Sequence, residues 1–226
     1  MFGRGSDWRL WGLTLRCFCV IVGDMKLERS TTPKRPYRMV ARADAAVATR
    51  ERVLDVAVEL FTDHPYDDVS IDRIAHRAAV AKRNILRRFE SKEALFLVAM
   101  ERAGREEMRE RETTPVGDVR AAVANVIAHY ERWGRNRLRL LAQEDRIPVV
   151  AEDVGVGRRY HWEWVERTFQ PLVHGLPPAA RTRRVAAVVA LTDVYTWKLL
   201  RLDLGLSRAE TERTLIEVIE RLEGER

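Results

Sequence analysis

The chain has 226 residues, 46% of them hydrophobic and 33% charged, which is enough apolar sequence to bury one sizeable core. Its net charge of +6 arises entirely in residues 1–50, which hold ten Lys/Arg and four Asp/Glu, while residues 51–226 hold thirty of each. Alternating apolar runs and Asn-Gly turns are nearly absent, whereas Ala, Leu, Glu and Arg are plentiful. The composition therefore excludes a sheet-based architecture and predicts an all-α fold from about residue 45 onward.

Residues 1–44 form a basic arm that differs in composition from the rest of the chain. An apolar stretch at residues 10–22 is interrupted by Arg16, so it is shorter than the roughly 20 apolar residues of a transmembrane helix and lacks the features of a signal peptide. We therefore predict no membrane segment. One interpretation is that the arm is disordered or precedes the true start of translation, at Met25 or Met39.

The other interpretation of the arm is functional. A basic cluster with two prolines is typical of arms that enter a minor groove or follow phosphates; it consists of Lys34, Arg35, Arg38 and Arg42. The only cysteines, Cys17 and Cys19, are a weak metal signal and stand too close for an easy disulfide. The remaining chain is free of cysteine, which is consistent with a reducing cytoplasm.

A helix-turn-helix is predicted between residues 70 and 92. Apolar side chains recur at helical spacing on one face of each helix, with Val80 in the turn between them; they are Ile71, Ile74, Ala75 and Ala78, then Ile85 and Phe89. Two small residues, Ala75 and Ala78, suit a close crossing of the helices. Ser70 followed by Asp72 suits a helix N-cap with an acid in the first turn.

The polar side of the second helix, at about residues 81–87, is strongly basic. Five Lys/Arg between positions 82 and 92 face a single acid, Glu90, whereas a solvated helix in an ordinary bundle, which is the alternative, usually mixes both signs. Basic side chains bind phosphates, and Asn and Arg read base edges in the major groove. The residues expected to contact double-stranded DNA are Ser70, Arg73, Lys82, Arg83, Asn84, Arg87, Arg88 and Lys92.

About fifty residues resemble the N-terminal domain of the TetR family of transcriptional repressors. The resemblance is carried by Thr49 through Ala57, Glu59-Leu60-Phe61, Tyr66, Ser70-Ile71, Ile74-Ala75, Val80, Phe89 and Ser91-Lys92-Glu93-Ala94-Leu95-Phe96. It implies a three-helix DNA-binding domain, here residues 45–92, and a fourth helix that leads into a helical ligand-binding and dimerisation domain, here residues 93–226. The implied partners are an operator, a small-molecule inducer and a second copy of the chain.

Several residues depart from that family's pattern. Ala79 stands where Gly is usual, so a residue with a Cβ must adopt the left-handed conformation at a cost on the order of 1 kcal/mol. Ala81, Arg83 and Leu86 replace the common Ser, Gly and Tyr, which removes an N-cap hydroxyl and a phosphate-binding phenol and adds a guanidinium. These changes keep open an alternative function, a helical interaction or sensor module with impaired DNA binding.

Six further helices are predicted downstream. Their approximate ranges are 91–112, 118–132, 137–145, 156–173, 178–204 and 207–223. The resemblance implies that the last two pair with a second copy, and their apolar stripes are compatible with a homodimer; a monomeric bundle is the alternative. A homodimer would place two recognition helices roughly 34–36 Å apart on a palindromic operator.

Aromatic and polar side chains between the fourth and eighth helices are expected to line the inducer pocket, although the aromatic ones suit a closed core equally well. The candidates are Phe96, Met100, His129, Trp133, Gln143, His161, Trp162, Asp193, Tyr195 and Trp197. Asp193 is expected inside a buried helix, where it needs either a basic partner or a wet cavity.

An enzyme is disfavoured by the sequence. The five histidines have no metal-binding spacing, and neither a nucleophile motif nor a Gly-rich phosphate loop occurs. We therefore predict no catalytic residue, no metal and no cofactor. The predicted function is a cytoplasmic, ligand-responsive repressor that binds a palindromic operator as a homodimer and is released by a small molecule.

Overall fold

The computed structural model describes the backbone of residues 35–224 and the side chains of residue 40 and residues 42–222. The chain divides into two compact units, residues 1–41 and 42–226, and the described part of the first is the beginning of a helix. Across the described range the fold is all-α. The helices are α1 (Arg35–Asp63), α2 (Ile71–Arg77), α3 (Lys82–Phe89), α4 (Lys92–Glu112), α5 (Val119–Leu141), α6 (Pro148–Thr168), α7 (Gln170–Val173), α8 (Pro178–Leu191), α9 (Val194–Trp197) and α10 (Arg208–Gly224). A 3-10 turn spans Tyr66–Asp68, and a π-helical segment spans Lys198–Asp203.

Helix α1 begins ten residues before the expected position of about 45, inside the predicted arm. The remaining expectations for the arm, including its basic cluster and its cysteines, concern residues that are mostly outside the described range. None of the described helices combines the length and apolar character needed to cross a membrane.

The turn between α2 and α3 is closed by backbone hydrogen bonds of a Schellman motif. The Val80 N–H donates to the Ala75 carbonyl at 3.0 Å, and the Ala79 N–H donates to the His76 carbonyl at 3.2 Å. Ala79 adopts φ +53°, the left-handed conformation expected from the sequence. The turn thus forms without glycine and retains the strain of a Cβ in that conformation.

Two apolar clusters form the core of residues 42–226. The first joins α1, α2 and α3 to the beginning of α4, and it also includes Leu140 at the end of α5 and Ile147, Val150 and Val154 in or beside α6. The second joins α5, the ends of α6 and α7, α8, α9 and α10 around the fully buried Trp164. The predicted domain boundary at residues 92 and 93 therefore lies within one continuous apolar cluster.

The downstream helices differ from the predicted ones at three places. The expected break at residues 132–137 is wrong, because α5 runs through Gly134, where the absence of a Cβ lets the Trp197 ring lie against the helix backbone. The expected seventh helix begins earlier, since Pro148 occupies its first turn. The expected helix at 178–204 is interrupted after Leu191, and the π-helical segment follows α9.

Asp193 is an N-cap and does not lie within a helix as the sequence indicated. Its Oδ1 accepts the Tyr195 N–H at 2.8 Å at the start of α9. A short polar side chain that satisfies a free backbone donor favours a helix start at this position. Periodicity alone missed the interruption because the apolar pattern continues on both sides of it.

Candidate functional site

Helix α3 presents a basic surface to solvent. Ile85 and Phe89 are buried against the first apolar cluster, and the remaining side chains of the helix are exposed. The exposed positions include Arg83, Asn84 and Arg87. Burial of one apolar face thus fixes the opposite face outward, as the spacing predicted.

Two basic residues of α3 have partners within the protein. Lys82 Nζ lies 2.8 Å from Asp72 Oδ2 in an exposed ion pair, and Arg88 Nη1 donates to the Ala46 carbonyl of α1 at 2.7 Å. Among the described residues, neither Arg83 nor Arg87 has an ion-pair partner or a side-chain hydrogen bond. Arg83 and Arg87 are therefore the cations of α3 that are most available to an external anion.

The other predicted contact residues are placed around α2 and the start of α4. Ser70 Oγ accepts the Arg73 N–H at 3.1 Å as the N-cap of α2, and Arg73 Nη2 lies 2.7 Å from His64 Nε2. Lys92 Nζ donates to the Tyr66 carbonyl at 2.7 Å and lies 3.9 Å from the centre of its ring. Burial lowers the pKa of Lys92. Arg73 and Lys92 thus stabilise the packing of the head, which is the part of the chain formed by α1, α2 and α3. They are less available to an external anion than Arg83.

A groove of about 590 Å³ lies between α1 and α3 and includes three of the predicted residues. Asn84, Arg87 and Arg88 line one side, and Thr49 and Arg50 line the other. The contribution of α1 was not predicted, because no pattern in the sequence indicates which side chains of α1 face α3.

A second concave site is a cavity of about 330 Å³ surrounded by α4, α5, α6 and the α8–α9 junction. Five of the ten predicted ligand-binding residues line it: His129, His161, Trp162, Asp193 and Tyr195. The apolar part of the wall includes Leu140, Leu141, Val154 and Val189. Aromatic and aliphatic walls with a few polar groups are typical of small-molecule sites.

The other five predicted ligand-binding residues do not line this cavity. Phe96 and Met100 belong to the first apolar cluster, because the first turns of α4 pack on the head. Gln143 is buried where α5 meets the head, and its Oε1 accepts the Tyr66 N–H at 2.9 Å.

The two remaining tryptophans have other partners. Trp197 packs on Gly134 and donates from its indole to Glu131 at 3.1 Å. The Trp133 ring lies 4.9 Å from the guanidinium carbon of Arg132. Both tryptophans are thus engaged beside α5 and not in the cavity wall.

Sequence reasoning missed five polar residues that line the cavity: Glu107, Arg111, Arg137, Arg158 and Tyr160. Glu107 and Arg111 lie in the densely charged second half of α4, a composition typical of a solvated helix, yet both are buried. Their spacing of four residues, which places them on one face of α4, was the available signal.

A hydrogen-bonded chain crosses the cavity wall. Arg111 Nη2 lies 3.0 Å from His161 Nδ1, His161 Nε2 lies 3.1 Å from Thr192 Oγ1, and the Thr192 hydroxyl donates to the Val188 carbonyl at 2.7 Å. Since a guanidinium only donates, Nδ1 must accept and the His161 proton must sit on Nε2. Burial lowers the pKa of His161 to about 3, so the ring is neutral near pH 7.

A second buried polar group surrounds Glu107. Its Oε2 lies 2.7 Å from Arg137 Nη2 and 3.8 Å from His129 Nε2, and Arg137 Nη1 lies 3.8 Å from Asp153 Oδ2. Burial lowers the pKa of His129 to about 2 and raises the pKa of Asp153. The part of the chain that the structure describes contains no cluster of three or more potential metal ligands.

The head of the molecule matches a known sequence family. Residues 53–99 match the model of the tetR family of bacterial regulatory proteins. The N-terminal part of the chain is therefore similar to that family. A Mycobacterium tuberculosis protein named for transcriptional regulation of mycofactocin biosynthesis is 45% identical over 47 residues, 21% of this chain and 24% of that protein. An uncharacterized HTH-type transcriptional regulator of Bacillus subtilis is 26% identical over 126 residues, 54% of this chain and 58% of that protein.

Solved structures of TetR-type proteins share the fold of this chain. A TetR-family regulator of Streptomyces coelicolor superposes with a TM-score of 0.61 at 22% identity, covering 77% of this chain and 80% of the other. A transcriptional regulator of Aquifex aeolicus superposes with a TM-score of 0.54 at 18% identity, covering 77% and 99%. The chain covers less than two thirds of the length of either curated relative.

Proposed function

We propose that this chain is a DNA-binding transcriptional regulator that acts in the cytoplasm as a ligand-responsive repressor. The observation that carries the proposal is the exposed basic face of α3, with Arg83 and Arg87 unpaired among the described residues beside the groove lined by Asn84. An exposed, preorganised row of Arg and Asn on the second helix of a helix-turn-helix suits the major groove of duplex DNA.

Substitution of Arg83 or Arg87 tests the recognition face. We expect each of Arg83→Ala and Arg87→Ala to weaken operator binding, and at least one to relax base preference by roughly 1–3 kcal/mol, the contribution of a bidentate base contact. Fluorescence anisotropy with DNA from the chain's own promoter region measures both effects. Arg135→Ala is the matched control, because Arg135 is an exposed cation on α5, outside the helix-turn-helix. Wild-type affinity and sequence preference in both α3 variants would refute the assignment.

Homodimerisation is the second part of the proposal. Large apolar side chains are exposed on the elements at 178–204 and 207–223 that were expected to pair; they are Tyr195 (53% exposed), Leu199 (50%), Leu204 (62%) and Val218 (37%). Clustered apolar exposure marks association surfaces, and a twofold pair suits a palindromic operator. Sedimentation equilibrium should give a dimer for the wild type and a shift toward monomer for Leu199→Asp, whereas a monomeric wild type contradicts this part.

The third part of the proposal is release from DNA by a small molecule with a largely apolar or aromatic body in the cavity. Helix α4 supports this coupling, since its first turns pack in the head and its last turns line the cavity. Coupling requires that the ligand bind the DNA-free conformation more tightly, and operator DNA must then weaken the ligand by the same factor, typically about 5–150-fold. A ligand that quenches tryptophan fluorescence but leaves operator affinity unchanged would favour the alternative, a sensor module without DNA control.

A further inference from the structure

Arg111 is a buried cation that faces the cavity without a carboxylate partner. Its side chain is 5% exposed, and no Asp or Glu oxygen in the described part of the chain lies within ion-pair distance of it. Its Nε is buried without a hydrogen-bond partner there. A buried charge with no counter-ion is costly, so the surroundings must supply compensation.

The other two arginines of the cavity wall are paired. Arg137 lies 2.7 Å from Glu107, and Arg158 makes two hydrogen bonds of 2.6 and 2.7 Å to Glu144. Arg111 instead contacts the neutral His161 ring and lies 4.2 Å from the centre of the Trp164 ring. A cation–π contact compensates a charge only partly, at roughly 0.5–2 kcal/mol. One strong anion site therefore remains unused at Arg111.

A second polar atom without a partner belongs to the same wall. His129 Nδ1 is buried and has no hydrogen-bond partner among the described residues, while its Nε2 is 3.8 Å from Glu107, beyond hydrogen-bond distance. The ring is 8% exposed and lines the cavity with Arg111. A neutral imidazole with its proton on Nδ1 can donate to the same anion that Arg111 attracts.

The acidic groups of the wall limit where an anion can lie. Glu107 is paired with Arg137, whereas Asp193 has no basic partner within ion-pair distance in the described range and uses one oxygen to cap α9. An anion would be repelled by Asp193 and attracted by Arg111. The negative end of a ligand thus belongs on the α4 side of the cavity.

We propose that the cavity binds an organic carboxylate whose charged group is held by Arg111 and His129 and whose apolar body lies against Tyr160, Trp162 and Leu141. The inference rests on the proposed function, since it specifies the chemical class of the effector. A guanidinium matches a carboxylate geometrically, and charge-assisted hydrogen bonds are about twice as strong as neutral ones. The aromatic and aliphatic part of the wall supplies affinity for the rest of the molecule.

The experiment compares acids with their uncharged amides on the full-length chain. Isothermal titration calorimetry compares naphthoate with naphthamide and octanoate with octanamide. In each pair the apolar body is the same, and only the charge of the end group differs. We expect at least one acid to bind about tenfold or more tightly than its amide. Arg111→Gln should abolish that preference. Arg158→Gln is the matched control, because it removes an equal charge from the same wall; it should retain the preference, since Arg158 is paired with Glu144.

Three results would overturn the proposal. They are equal affinity of acid and amide for the wild type, failure of both acids to bind, and equal loss of preference in Arg111→Gln and Arg158→Gln. If Arg111→Gln does not fold, the comparison of acid and amide affinities for the wild-type chain still tests the proposal. No DNA is present, so failure here is distinguishable from failure of the proposed function, which the anisotropy titration detects.

Discussion

Replacing Ala79 by Gly should stabilise the protein. Ala79 is exposed and adopts φ +53° as the left-handed residue of the Schellman motif after α2. A Cβ in that conformation costs roughly 1–2 kcal/mol, which the glycine variant avoids. The greater conformational freedom of glycine in the unfolded chain offsets about 0.4–1 kcal/mol of this stabilisation. The expected increase in the free energy of unfolding is about 1 kcal/mol, or roughly 2–4 °C in Tm for a chain of this size.

Urea denaturation followed by far-UV circular dichroism measures this difference. Wild type and variant must be compared at equal protein concentration, because association with a second copy would add to the apparent stability. Ala142→Gly is the matched control: Ala142 is also an exposed residue just after a helix, but its φ is −67°. The control should lose about 0.5–1 kcal/mol, because glycine relieves no strain there.

The sign of the effect decides whether the strain argument is correct. If Ala79→Gly destabilises the chain as Ala142→Gly does, the left-handed conformation carries no recoverable strain. A stabilised variant that binds DNA more weakly would show instead that the strain is relevant to how α3 is presented.

Three further outcomes follow from the packing and the buried histidines. Gly134→Ala should lower the free energy of unfolding by roughly 1–3 kcal/mol, because its Cβ would lie 2.5 Å from the Trp197 ring; unchanged thermal stability would contradict that close contact. Ser91→Ala should cost about 1 kcal/mol in the same measurement, since its Oγ caps α4; no loss would mean that the cap contributes nothing. The folded-state pKa values of His129 and His161 are lowered to about 2 and about 3, so the unfolded chain binds protons first as the pH falls. The free energy of unfolding should therefore decrease from pH about 6.5 toward pH 5, by up to about 1.4 kcal/mol per pH unit for each ring. In urea titrations at several pH values, His161→Gln should reduce this dependence of the free energy of unfolding on pH.

The head was predictable from sequence because its signals are local. The spacing of Ile85 and Phe89 determines which face of α3 is buried, because apolar residues four positions apart lie on the same face of a helix. The left-handed conformation of Ala79 followed from the resemblance, since Gly is usual at this position in that family. Once that face is buried, Arg83 and Arg87 on the opposite face are exposed, so their exposure can be predicted without information about distant parts of the chain.

The cavity was less predictable because its polar residues are defined by contacts distant in sequence. Arg111 and Glu107 look like solvated helix charges until α5 and α6 cover them, and their partners His161 and Arg137 are 50 and 30 residues away. The break at Asp193 was also hidden, since the N-cap serves a helix of only four residues. Aromatic content identified the region but not which rings face the cavity.

The first apolar cluster has a consequence for unfolding and for the modularity of this chain. Leu140, Ile147 and Val150 from the α5–α6 region complete the same cluster as Leu54 and Phe61 of α1. A fragment cut at residue 92 would leave that apolar surface open to water. Amide hydrogen exchange should therefore reveal shared opening of the head and the α5–α6 corner, and a chimera that exchanges DNA specificity would have to transfer both.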